Sequence, residues 1–291
     1  IFKRITTVSD GKNHGLVFIL DWSGSMGHVL EDTLKQLYNL LWFCKKVNIP
    51  FDVYAFTNEY PNLNESGHAE YCYEKKEGLL TINEHFSLMH MFTSKVKGKV
   101  LEDQMKNIFR IGLAHTTRQS FYHIPIGLRL SGTPLNEALL CMHQILPQFK
   151  KENGVQKVQC VVLTDGEAHP LTYHKKFQRH WEDSDFMGCA SMRDGCFLRD
   201  RKTGHTYAMD GNWWTQTDIF LRNLRDNFTD VNFIGIRVMA NRDAGSFIRR
   251  YCGYQGEEYE RTMRSWRREK AFSIKTSGYH TYFGLSSNTL G

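Results

Sequence analysis

Five side chains in this sequence carry oxygen at positions where a hard cation could be held. Asp21, Ser23 and Ser25 stand at alternate positions of VFILDWSGSMG (17–27), where an apolar run gives way to a polar, glycine-bearing loop. Thr133 lies in SGTPLNEAL, and Asp165 in VVLTDGEAH, again at the end of an apolar run and followed by glycine. Carboxylate and hydroxyl oxygens are hard ligands, and a cluster of them suits Mg²⁺, Mn²⁺ or Ca²⁺ rather than a thiophilic metal. The D-x-S-x-S spacing alone is weak: with each residue type at roughly 5–7 % of an average chain, a sequence of this length meets it by accident about one time in ten. Its weight comes from the two other oxygen-bearing segments.

To meet at one point, these residues need a scaffold that brings three distant loops to one edge. Short buried runs followed by turns and then by helix-period segments supply it. LVFIL (16–20) leads into a segment (28–47) whose apolar residues Val29, Leu30, Leu34, Leu37, Leu40, Leu41 and Val47 recur at helical spacing. FDVYAF (51–56), KVQCVVL (157–163) and VNFIGIRV (231–238) read as further strands. Helices are expected over 133–149, with Thr133 as cap and Pro134 at the first helical position, and over 216–228. The alternation implies an α/β fold, a doubly wound, Rossmann-like, mostly parallel sheet flanked by helices. Ligands of such sheets bind beyond the carboxyl ends of the strands, where Asp21 and Asp165 fall. Gly24 and Gly27 are expected to let the first loop turn tightly.

Two regions break the alternation. Residues 58–118 turn polar and aromatic, with an edge strand expected over 86–92 and a helix over about 100–113. Residues 169–214 include a β-hairpin expected around Lys202–Gly204. Both are read as insertions decorating a single domain over 1–291, and no internal repeat or low-complexity tract is visible.

Composition narrows the function classes. With 41 % hydrophobic and 13 % aromatic residues the chain can build a packed core. No run approaches the roughly 18 apolar residues of a membrane helix. The opening IFKRITTVSDGKNHG lacks an apolar signal core, and a first residue Ile1 leads us to expect further sequence upstream. Seven cysteines without a CxxC point to reduced thiols and a cytoplasmic location, with Cys44, Cys141 and Cys160 as core residues; only Cys189 and Cys196 could share a metal or a disulfide. A net charge of +6 licenses only a weak claim on anionic partners. Its densest segment, ERTMRSWRREK (260–270), reads as a solvated helix face rather than a nucleic-acid surface.

Rival chemistries fit poorly. The histidines at 115, 123, 169, 174 and 180 lack the spacing of a helical HExxH zinc site, although His169 is close enough to Asp165 to rim a cation. Ser25 sits in WSGSMG, where the residue two before it is serine, so the G-x-S-x-G nucleophile elbow is not met. There is no phosphate-binding G-x-x-x-x-G-K-[ST] loop. Trp22, inside the candidate loop, is either packed or a contact residue beside the ion, packing being the commoner fate.

With Asp21, Ser23, Ser25, Thr133 and Asp165 in this order, the chain resembles the von Willebrand factor A domain with its metal-ion-dependent adhesion site. The resemblance implies that Ser23 and Ser25, with Thr133 in the ligand-ready state, contact one divalent cation directly, while Asp21 and Asp165 act largely through waters. It further implies that an Asp or Glu of a partner protein completes the coordination, and that the chain is not catalytic alone. LDWSGSM, FDVYAFTNEY, LNEALLCMH, LTDGEAHP and VNFIGIRVMANRDAGSFIRRY are similar to the adhesion-type domain of the cobaltochelatase T subunit, less closely to its magnesium-chelatase counterpart. Around Thr133 the sequence follows the general adhesion consensus more than the chelatase one. In the chelatases this domain works with a hexameric AAA+ ATPase that remodels a metal-inserting subunit. The resemblance thus implies a cation-dependent adaptor or recruiting subunit for an AAA+ ATPase, in a bacterial cell or, for virus-encoded relatives, host cytoplasm. The alternative is a structural or assembly component, cellular or viral, using the same fold as a protein interface.

Overall fold

The computed structural model describes residues 13–59, 74–83, 85–116, 123–178, 181, 185–193, 195–209, 212 and 215–289. The chain's opening, Cys72, His180 and Trp214, to which expectations were attached, lie outside these residues.

Seven strands form the central sheet: β1 (His14–Asp21), β2 (Phe51–Thr57), β4 (Ser87–Thr93), β5 (Lys157–Thr164), β10 (Val231–Met239), β11 (Ala271–Ile274) and β12 (Thr281–Ser286). Their order is β11-β12-β10-β5-β1-β2-β4. The five inner strands are parallel, and the edge strands β4 and β11 run antiparallel to their neighbours. Strands buried on both faces read as continuous apolar runs, which is why LVFIL, KVQCVVL and VNFIGIRV were visible as strands. Along β1, side chains alternate between two cores. Val17 and Ile19 face one built with α3 (Leu135–Asn153), α4 (Gln216–Asn227) and α5 (Ala244–Cys252). Leu16, Phe18 and Leu20 face another built with α1 (Leu30–Lys46) and α2 (Gly98–Thr116). The fold is therefore mixed α/β with helices on both faces of a mostly parallel sheet. A last helix, α6 (Glu257–Glu269), buries Trp266 and Thr262 and leaves its arginines exposed, as the solvated-face reading expected.

Part of the first irregular region joins the central sheet and its helices. β4 is the edge strand anticipated over 86–92, but it pairs with β2 over Asp52–Thr57, and α2 packs on α1; both belong to the main body of the fold. The register of the β2–β4 pairing shifts between Val53 and Tyr54. Described strands of the two regions meet in space. β3 (Leu80–Thr81) pairs with β6 (Thr172–Gln178), and β6 with β7 (Asp185–Ser191), in a separate three-stranded sheet. β8 (Phe197–Arg199) and β9 (Thr206–Ala208) form the expected hairpin, its turn closed at Gly204 with φ +77.

Candidate metal centre

The chain leaves β1 on one side toward β2 and returns to β1's other side as β5, so the strand order reverses between β1 and β5. Crevices open at such reversals, beyond the carboxyl ends. Register places Leu20 opposite Leu163, so the next residues, Asp21 and Thr164, emerge side by side. Thr164 Oγ1 donates to Asp21 Oδ2 at 2.6 Å and takes the amide of Gly166 at 3.1 Å.

After Asp21 the chain runs through Ser23 into a 3-10 turn, Gly24–His28. Neither Gly24 nor Gly27 adopts a positive φ, so the conformational freedom expected of them is not used. The loop is instead laced to its neighbour: Ser23 bridges Ser131, Gly24 N–H donates to Ser131 O at 2.7 Å, and Ser131 N–H to Trp22 O at 3.3 Å. Trp22 is fully buried and donates Nε1–H to Leu128 O at 2.9 Å, which settles it as a packing residue. Gly132 is required by close approach: a Cβ there would lie 2.8 Å from the Asn58 side chain and from His169 Cε1. Asn58 Oδ1 accepts the Gly132 amide at 2.6 Å.

Thr133 is not the cap of α3, as had been expected. The cap position is Pro134 and the helix begins at Leu135. A residue before proline is pushed out of the helical region, which holds Thr133 in the loop. His169 N–H donates to Thr133 O at 3.1 Å, tying the third loop to the second. His169 itself is exposed and rims the site.

Four of the five expected residues interact directly. Ser25 Oγ donates to Asp165 Oδ1 at 2.7 Å and lies 3.0 Å from Ser23 Oγ, while Asp21 and Asp165 repel one another. Thr133 reaches the same end through its backbone, with no side-chain bond to the other four among the described residues. Burial pushes the Asp21 carboxyl up to about 7; the Thr164 hydrogen bond opposes this, and the charge of Asp165 adds to it. Burial also raises the Asp165 carboxyl, against the Ser25 hydrogen bond and the nearby charges of His28 and Arg237. Asp21 Oδ1 is buried without a hydrogen-bond partner. Among the described residues neither carboxylate forms an ion pair, so two carboxyl groups and two hydroxyls converge without a protein cation bonded to them.

That donor set, hard oxygens with an orphaned buried acceptor, fits a divalent cation. No group of three or more His, Cys, Asp or Glu converges among the described residues, so the zinc-type alternatives gain no support. The six described cysteines are free, and Cys189 is exposed.

Sequence reading missed Thr164 and a charged clamp beside it. Glu167 takes both Arg237 and Arg250, and Arg237 lies 4.9 Å over the Phe247 ring. Thr164 stood in plain view before Asp165, but its role depends on the β1–β5 register. Glu167 was visible in TDGEAH, with no signal for partners 70 and 83 residues away.

No family model and no curated protein matches this chain. Among solved structures it is similar to the pilus adhesin SpaC of Lactobacillus rhamnosus GG in its open conformation, at 14 % identity and a TM-score of 0.40. The likeness covers 77 % of this chain and 24 % of that one, so the chain spans about a quarter of the adhesin's length, and at that level the likeness says nothing about what this chain binds.

Proposed function

We propose that this chain is a divalent-cation-dependent protein-binding module of the von Willebrand factor A type, with a doubly wound sheet and a metal-ion-dependent adhesion site at Asp21, Ser23, Ser25, Thr133 and Asp165. The observation that carries the proposal is the buried, orphaned oxygen of Asp21 beside Asp165 and two serine hydroxyls. Ser23 and Ser25 would ligate Mg²⁺, or Mn²⁺ or Ca²⁺, directly. Asp21 and Asp165 would fix the serines and bind through waters, and Thr133, already held within the same laced loops, would join in the ligand-ready state. A bound cation supplies an electrophilic open position for an Asp or Glu of a protein partner. Ser25 is exposed at the mouth of the site, on the side from which such a carboxylate arrives. On the resemblance to the cobaltochelatase T subunit, the partner system is one that contains an AAA+ ATPase, and the chain acts as its adaptor or recruiting subunit.

Isothermal titration with Mg²⁺ and Mn²⁺ tests the site. Ser23→Ala and Asp165→Ala are each expected to weaken binding about tenfold or more with the circular dichroism spectrum unchanged. Wild-type affinity in both variants would sink the assignment.

A further inference from the structure

One flank of the candidate site is basic. Residues 242–275 hold nine basic and five acidic side chains, a surplus of four within a total of +6. Three of those acids, Glu257, Glu258 and Glu260, occupy the first turn of α6. The last turn carries Arg267 and Arg268, followed by Lys270. Lys270 O accepts the amide of Ser286, the last residue of β12, which is in register with Met239 at the end of β10. The basic end of α6 therefore lies at the carboxyl ends of the strands, the end that holds Asp21 and Asp165.

Between these points stand the Glu167 clamp with Arg237 and Arg250, and Arg242 in the turn after β10 with its side chain 88 % exposed. Arg267 and Lys270 form no ion pair among the described residues. On the other side of the site, among the described residues, Arg129 pairs with Glu59. Basic groups thus run from Arg237 on β10 past β12 to Arg267, Arg268 and Lys270 at the start of β11.

We propose that the segment engaged at the cation site is acidic beyond its coordinating carboxylate, and that it lies across β10 and β12 with a second acidic group at Arg267, Arg268 and Lys270. This rests on the cation-site reading above. Three strand spacings separate β5 from β11, about 14 Å, and an extended peptide covers about 3.3 Å per residue. The second acid falls four or five residues from the first. A nucleic acid suits the tract less well: Glu167, Asp243 and Glu269 are interleaved with the arginines and repel a polyanion.

Two fluorescein-labelled Gly/Ser peptides provide the test by anisotropy in Mg²⁺. One carries a single central Asp; the other adds Glu at four and five positions on both sides. The wild-type protein is expected to bind the second about tenfold more tightly, with the advantage shrinking in salt. Arg267→Glu combined with Arg268→Glu should erase that advantage and leave binding of the single-Asp peptide unchanged. Equal affinity for both peptides in the wild type overturns the inference while the cation site stands. So does a single-stranded oligonucleotide of equal charge binding as tightly as the acidic peptide. If neither peptide binds, the inference falls, and Mg²⁺ calorimetry on the same protein then shows whether the cation site falls with it.

Discussion

Asp21 and Glu137 are both buried carboxyls, and burial pushes each up to about 7, yet their surroundings answer that cost in different ways. Glu137, in the first turn of α3, is held by its own amide and that of Asn83, although its Oε2, like Asp21 Oδ1, is buried without a hydrogen-bond partner; beside it lies the Cys141 thiol, which burial and Glu137 together push up to about 11. Among the described residues, no second carboxylate and no hydroxyl pair gathers beside it as they do at Asp21. Asp21 sits among two serine hydroxyls and a second carboxylate, beneath a mouth that opens at Ser25. The same shift thus marks a local anchor in one region and, on the proposed function, a place for a cation in the other. A raised carboxyl identifies a costly charge; only the groups arranged around it show what relieves the cost.

Both folded-state values lie above the ordinary carboxylate range. The stability each group contributes is therefore complete below about pH 4 and is lost as pH rises through about 7. Divalent cation should separate them. At a Mg²⁺ concentration about a hundred times Kd, urea denaturation at pH 8 should show the wild type stabilised by about 2.7 kcal/mol. Asp21→Asn should lose most of that gain and Glu137→Gln none of it. Equal Mg²⁺ responses in the two variants would erase the distinction.

The next effect in size belongs to Glu137→Gln without metal. It should raise stability at pH 8 by about 2 kcal/mol and change it little at pH 4, because glutamine keeps the acceptor for Asn83 and does not ionise. Loss of stability at both pH values would mean that the carboxylate is needed as a charge. The smallest effect is Thr164→Val, which removes the donor to Asp21 Oδ2. It should cost about 1 kcal/mol and move the Asp21 titration, followed by carbon NMR, to still higher pH, leaving that of Glu137 in place.

The inner architecture was legible because buried parallel strands announce themselves as apolar runs. LVFIL, read as 16–20, lies within β1, and the strands expected at 51–56, 157–163 and 231–238 extend by a residue or two at most. Asp21 and Asp165 stood out for the same reason, since each follows such a run, whereas Thr133 precedes a helix and follows no strand. What escaped depends on partners distant in the chain. β11 and β12 are short and carry glycine and serine, and their pairing with each other and with β10 makes them strands. Thr133 was misplaced as a cap because Pro134 was assigned to the first turn, whereas it caps the helix and leaves Thr133 in the loop. The Glu167 clamp and the Thr164 bond join residues 70 to 143 positions apart, beyond any local pattern.

The pairing of β3 with β6 joins the two stretches that interrupt the alternating pattern. Leu80 and Tyr173, opposite one another in that pairing, also pack against the core shared with α3. A two-stranded hairpin is marginal alone, so β6 and β7 without β3 would keep an open edge, and β3 without them would have nothing to pair with. The two stretches are a single inheritance: shortening one asks for a matching change in the other, some ninety residues away along the chain.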